Sequence, residues 1–104
     1  MIPLSDECQA RVDHLFSLYD RKEVERLLAE ECGDKLPLYK VKAPEGYDRI
    51  RFAVLKLSRG KLDQLQKQIR SARRDWRDVL VSAGFANDPV EHKNWYPEGM
   101  ARHE

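Results

Sequence analysis

KLDQLQKQIRSARRDWRDVLVSA, residues 61–83, is the stretch that decides the fold. Leu62, Leu65, Ile69, Ala72, Trp76, Val79, Leu80 and Ala83 stay on one face when the chain is wound as a helix, and charged or amide side chains fill the remainder. Apolar residues three, four and seven apart mark an amphipathic helix laid on a core. The element is one long helix or two nearly collinear ones, because Asp75 and Asp78 are residues able to restart a helix near Arg74. Gly84 ends it, and Phe85 is placed to fold back on the last turn as in a Schellman motif. Asn87-Asp88-Pro89 then forbids continuation.

Upstream of this helix the pattern is less regular. Ser5 precedes Asp6 and Glu7, which suits a helix start: the hydroxyl takes a free N–H and the acids sit at the positive end of the helix dipole. Cys8, Val12, Leu15, Phe16 and Tyr19 follow at helical spacing. A second stripe, Val24, Leu27, Leu28 and Cys32, is out of phase with the first, so one straight helix cannot bury both. Asp20 with Glu23 three residues on resembles a capping box, which predicts a helical hairpin turning at Asp20 and bringing Cys8 near Cys32. Gly33 is expected to end the second helix in a left-handed conformation. Between 38 and 57 two patterns compete. Tyr39, Val41 and Ala43 alternate with lysines, and residues 49–52 begin a second alternation, which predicts a short β-hairpin over 38–54. Ile50, Ala53, Val54 and Leu57 instead fit a helix capped by Asp48 and ended by Ser58-Arg59-Gly60. The helix is the preferred reading, so the expected fold is all-α, a small bundle of four to five helices, with the hairpin as an α+β alternative. Residues 1–86 form the expected helical domain. Residues 87–104 are read as a C-terminal tail, partly packed through Trp95 and Tyr96.

With 104 residues the chain is the size of one domain. Charged residues make up 36%, against roughly 25% in average proteins, which suits exposed helix faces. The net charge is only +1, but it is unevenly spread. Residues 1–35 carry five basic and nine acidic side chains, whereas residues 56–77 carry eight basic and two acidic ones. Such segregation points to a contact within the fold, with a second copy, or with an outside partner. No apolar run approaches the roughly 18 residues of a membrane span. The N-terminus has no secretory pattern and the two cysteines read as reduced thiols, so a cytoplasmic protein is expected.

Sites for chemistry are weak. Cys8 and Cys32 lie on apolar stripes beside acids, which disfavours thiolate. His14, His92 and His103 lack a ligand-spaced partner, and Asp88, Glu91 and His92 follow a proline in a polar stretch, so no metal is expected. Asp75 and Asp78 are explained by capping and by an Arg74–Asp78 ion pair. The glycines are isolated, leaving no phosphate loop. No enzyme activity and no cofactor are expected.

Two features remain. Lys67, Arg70, Arg74 and Arg77 form a stripe flanked by Arg73, away from the apolar face of residues 62–83. Trp95 and Tyr96 either close the core or anchor a partner. The expected function is a non-enzymatic accessory or protein-interaction domain, binding a partner protein or a second copy of itself as a homodimer. A nucleic-acid-binding domain using the same basic face is the alternative.

Overall fold

Local capping sets where the helices begin and end. The computed structural model describes residues 2–33, 36 and 44–100. Among these it has four α-helices and no strand: α1 (Asp6–Leu15), α2 (Leu18–Arg26), α3 (Pro44–Ser58) and α4 (Leu62–Ala83). A π turn (Leu27–Glu31) extends α2, and a short 3-10 turn (Glu91–Asn94) lies in the C-terminal strap that follows α4. The all-α reading therefore holds. Residues 44–54 are helical, which removes the second strand of the alternative hairpin; residues 38–43 lie outside the described residues.

Ser5 caps α1 as its position predicts, its Oγ accepting the Cys8 N–H at 3.1 Å. The joint between α1 and α2 is earlier than Asp20. Phe16 leaves the helix in an extended conformation and Ser17 starts the next one. Those two extended residues reconcile the out-of-phase stripes: Phe16 turns its ring into the core, 2% exposed, while Leu18 and Tyr19 are left 80% and 95% exposed. Asp20 is not a cap; its N–H donates to the Ser17 carbonyl. Arg21 closes the end of α1 by donating to the carbonyls of Phe16 and Asp13. Cys8 and Cys32 do fall in one buried cluster, near enough for each thiol to be acted on by Arg51 and for Cys32 to act on Cys8.

Gly33 is not left-handed, contrary to expectation. The positive-φ glycines among the described residues are Gly60, Gly84 and Gly99. A side chain at Gly33 would instead meet Ala29 O and Ile2 Cγ1, both at 3.0 Å, so close packing of the N-terminal segment requires glycine there.

Asp48 is not a cap either, because α3 starts at Pro44 and carries it in its interior. Residues 50–55 are all buried, Phe52 and Leu55 completely. Helix α3 packs chiefly on α4, and α1 and the 3-10 turn cover it elsewhere. The stretch 50–55 is covered all round and shows no wet face, which is why its sequence read ambiguously. Each such buried large side chain is worth roughly 1.5–3 kcal/mol. Arg59 (φ 54°) and Gly60 (φ 77°) turn the chain into α4. In α4, Leu65, Ile69, Ala72, Val79, Leu80 and Ala83 are buried. Asp75 interrupts it (φ −154°, ψ 97°), and its Oδ1 accepts the Arg77 N–H at 3.1 Å, so a second helical segment does restart there. The end is the Schellman motif foreseen: Phe85 N–H to Leu80 O at 2.9 Å and Gly84 N–H to Val81 O at 3.1 Å.

No helix of the described residues is long and apolar enough to cross a membrane.

Candidate functional site

Lys67, Arg70, Arg73, Arg74 and Arg77 are all exposed. At 1.5 Å per residue the span from Lys67 to Arg74 is about 10 Å of helix surface. The regular stripe stops at Asp75, where the helix breaks; Arg77 turns back to Asp75, with Nε 3.3 Å from Oδ1. The ion pair near the break is this one, rather than Arg74–Asp78. Arg73 reaches across to Glu31 at 2.8 Å, a link from α4 to the π turn. Among the described residues Lys67, Arg70 and Arg74 form no ion pair. Arg74 lines a shallow hollow of about 180 Å³ beside the break, with Gln68, Ser71, Asp75, Asp78 and Ser82. Arg70 and Arg73 line a groove of about 300 Å³ between α4 and the π turn, with Leu27, Glu31, Gln66 and Ile69.

The aromatic pair is held from within. Trp95 packs on the core, 6.3 Å from the Phe52 ring, and its carbonyl accepts from Arg11 Nε (3.1 Å) and Nη2 (3.0 Å). Tyr96 lies over the Arg11 guanidinium at 4.6 Å, with Phe52 on the guanidinium at 4.3 Å. His14 is hydrogen-bonded to the Glu98 carbonyl at 2.8 Å.

Sequence reasoning missed three buried ionisable side chains. Arg11 and Arg51 are 2% and 1% exposed. Arg51 donates to the carbonyls of Cys32 (3.0 Å), Pro3 (2.9 Å) and Ile2 (2.7 Å), fastening the N-terminal segment to the end of the π turn. The same use of cations recurs where α4 passes into the strap: Arg49 donates to Phe85 O and Ala86 O, and Lys56 to Ala83 O. A signal existed for Arg11, which falls three residues after Cys8, on the core stripe. His92 is the third. It is 1% exposed and stacks edge-on to Phe52 at 5.1 Å, and its Nδ1 has no hydrogen-bond partner. Burial, then the Lys93 and Arg49 cations, push its imidazole down to about 4.

Nucleophilic chemistry finds little support. Burial pushes both thiols up to about 12, with Asp48 adding to the effect on Cys8. Among the described residues no three His, Cys, Asp or Glu side chains gather as metal ligands would. A hollow of about 310 Å³ beside the N-terminal segment is lined by Tyr47, Asp48, Arg51 and residues 2–5. Burial raises the Asp48 carboxyl above its usual range, opposed by its hydrogen bond to Ser5 and by Arg51. The Arg51 fork is already occupied by carbonyls, so it offers that hollow no free donor pair.

Comparison of the chain with protein-family models, curated proteins and solved structures finds no match.

Proposed function

We propose that the protein is a non-enzymatic interaction domain that docks an acidic protein, a second copy of the chain included, against the basic face of α4. One observation carries this reading: Lys67, Arg70 and Arg74 are exposed and, among the described residues, unpaired with any carboxylate. Rows of exposed guanidinium groups suit bidentate carboxylates, and unneutralised like charges on one face repel until something covers them. Buried thiols and a buried neutral imidazole support a role without catalysis. The same reading puts the protein in the cytoplasm, a reducing compartment that keeps Cys8 and Cys32 as thiols.

Nucleic acid is the second reading. Gln64, Gln66 and Gln68 lie among these cations, and amides can read base edges. Asp63, Asp75 and Asp78 on the same helix weigh against it.

Fluorescence anisotropy at low salt separates the two, using a labelled acidic peptide, a DNA duplex and an RNA hairpin. Binding of the peptide that is lost in the triple variant Lys67→Glu, Arg70→Glu, Arg74→Glu supports the first reading. Duplex or hairpin binding that weakens steeply with salt, by nearly one decade per decade of salt for each phosphate contact, supports the second. If the wild-type protein binds none of the three probes, both readings fail.

A further inference from the structure

The basic face is not uniform. Arg74 lines the hollow beside the helix break, whereas Arg70 and Arg73 line the groove of about 300 Å³ closed on its other side by the π turn. That turn supplies Leu27 and Glu31, its first and last residues. π turns inside helices are rare and occur often at functional sites. The apolar floor of the groove offers little area, since Leu27 and Ile69 are only 8% and 3% exposed. Recognition there must rest on charge. One carboxylate is already present: Glu31 Oε2 sits 2.8 Å from Arg73 Nη1, with the Glu31 side chain 20% and Arg73 46% exposed. Arg70, in the same groove, pairs with no carboxylate among the described residues.

We infer that Glu31 is a built-in competitor. It occupies on Arg73 the place that a carboxylate of an acidic partner segment takes when that segment lies in the groove. This rests on the protein-partner reading above and makes it specific. The partner carries at least two carboxylates, one for Arg70 and one for Arg73, and the second must displace Glu31. The intramolecular pair therefore holds the affinity down and selects partners with more than one acid at close spacing. A partner with a single carboxylate is met by Arg70 alone, in the repulsive field of Glu31.

The test is a double-mutant cycle on the full chain, read by anisotropy of a fluorescein-labelled 16-residue peptide of alternating Glu and Ala blocks at low salt. Circular dichroism checks that each variant is folded. Glu31→Gln should bind the peptide about twofold to fivefold more tightly than wild type, the range that removal of one exposed ion pair allows. In an Arg73→Gln background the same Glu31→Gln change should give no gain, because the site being competed for is gone. A gain that persists in that background means a general charge effect and overturns the inference. So does the absence of any gain from Glu31→Gln, while peptide binding that is lost in Arg70→Glu leaves the broader reading standing. Absence of peptide binding to the wild type overturns the broader reading and the inference with it.

Discussion

Acid should loosen this fold through one residue, His92. The unfolded imidazole takes up a proton near pH 6.5, but in the folded chain it does so only near pH 4. In the folded environment apolar burial and the nearby cations oppose the charge and outweigh the single carbonyl that favours it. Phe52 of α3 and Phe85 present rings at 5.1 and 6.4 Å, while Arg11 of α1, Arg49 of α3 and the adjacent Lys93 are cations; the Pro89 carbonyl alone favours the proton. Between pH 6.5 and 4 the unfolded state therefore binds more protons than the native one. Stability is fully present above pH 6.5, falls as pH drops through this window, and levels off below it. At 1.36 kcal/mol per pKa unit the full loss is about 3 kcal/mol, about three quarters of it reached by pH 4.5. Asp48 works the other way, because its raised carboxyl pKa makes acid stabilising. The assay is urea unfolding at pH 7 and pH 4.5 for wild type and His92→Leu, which fills the same apolar site without titrating. Asp48 and the other carboxylates are common to both proteins and cancel in the difference. Wild type should lose about 2 to 3 kcal/mol more than the variant, and its imidazole should titrate near pH 4 by NMR. An imidazole midpoint near 6.5, or equal acid losses in the two proteins, would refute the reasoning.

Two further outcomes follow from backbone and burial. Gly60→Ala places a Cβ 2.9 Å from the Leu15 carbonyl at φ +77°, whereas Gly99→Ala is equally left-handed but meets nothing nearer than His14 at 3.6 Å. Gly99→Ala should cost about 1 kcal/mol, and Gly60→Ala about 2 to 3 kcal/mol, a fall in Tm of roughly 10 °C or more; equal melting temperatures for the two variants would show that the close approach to α1 is not real. Cys8 and Cys32, fully buried with thiols pushed up to about 12, should react with Ellman's reagent only after unfolding in urea. Rapid labelling of either thiol in the native protein would contradict their placement.

Helix α4 was legible because half of it is wet: Leu65, Ile69 and Val79 alternate with Lys67, Arg70 and Arg77 at a period that only a half-buried helix produces. Helix α3 offered no such contrast across residues 50–55, so strand and helix patterns competed there. The joint at Phe16 was hidden by a decoy. Asp20 and Glu23 imitate a capping box, while Ser17, which starts α2, makes no side-chain capping bond. The basic side chains of the candidate face were plain in the sequence, but their covering was not. Glu31 and Arg73 are 42 residues apart, and no local pattern announces that they meet. Arg11 and Arg51 were harder still. A charged residue normally reads as surface, and theirs is buried because carbonyls 84 and 48 or 49 residues away converge on the guanidinium forks.

Those forks set how the protein can change over time. Arg51 grips Ile2, Pro3 and Cys32, Arg11 grips Glu7 and Trp95, and Arg49 grips Phe85 and Ala86, in each case by the main-chain oxygen. A peptide carbonyl is the same whatever side chain stands beside it. Where their side chains are exposed, the terminal segments can therefore drift in composition without loosening, but not in length. Inserting or deleting one residue between two gripped positions moves every later oxygen out of reach. Descendants of this chain should vary in spelling at the exposed positions of 86–98, such as Asn87, Lys93 and Asn94, while keeping the spacing of that stretch fixed.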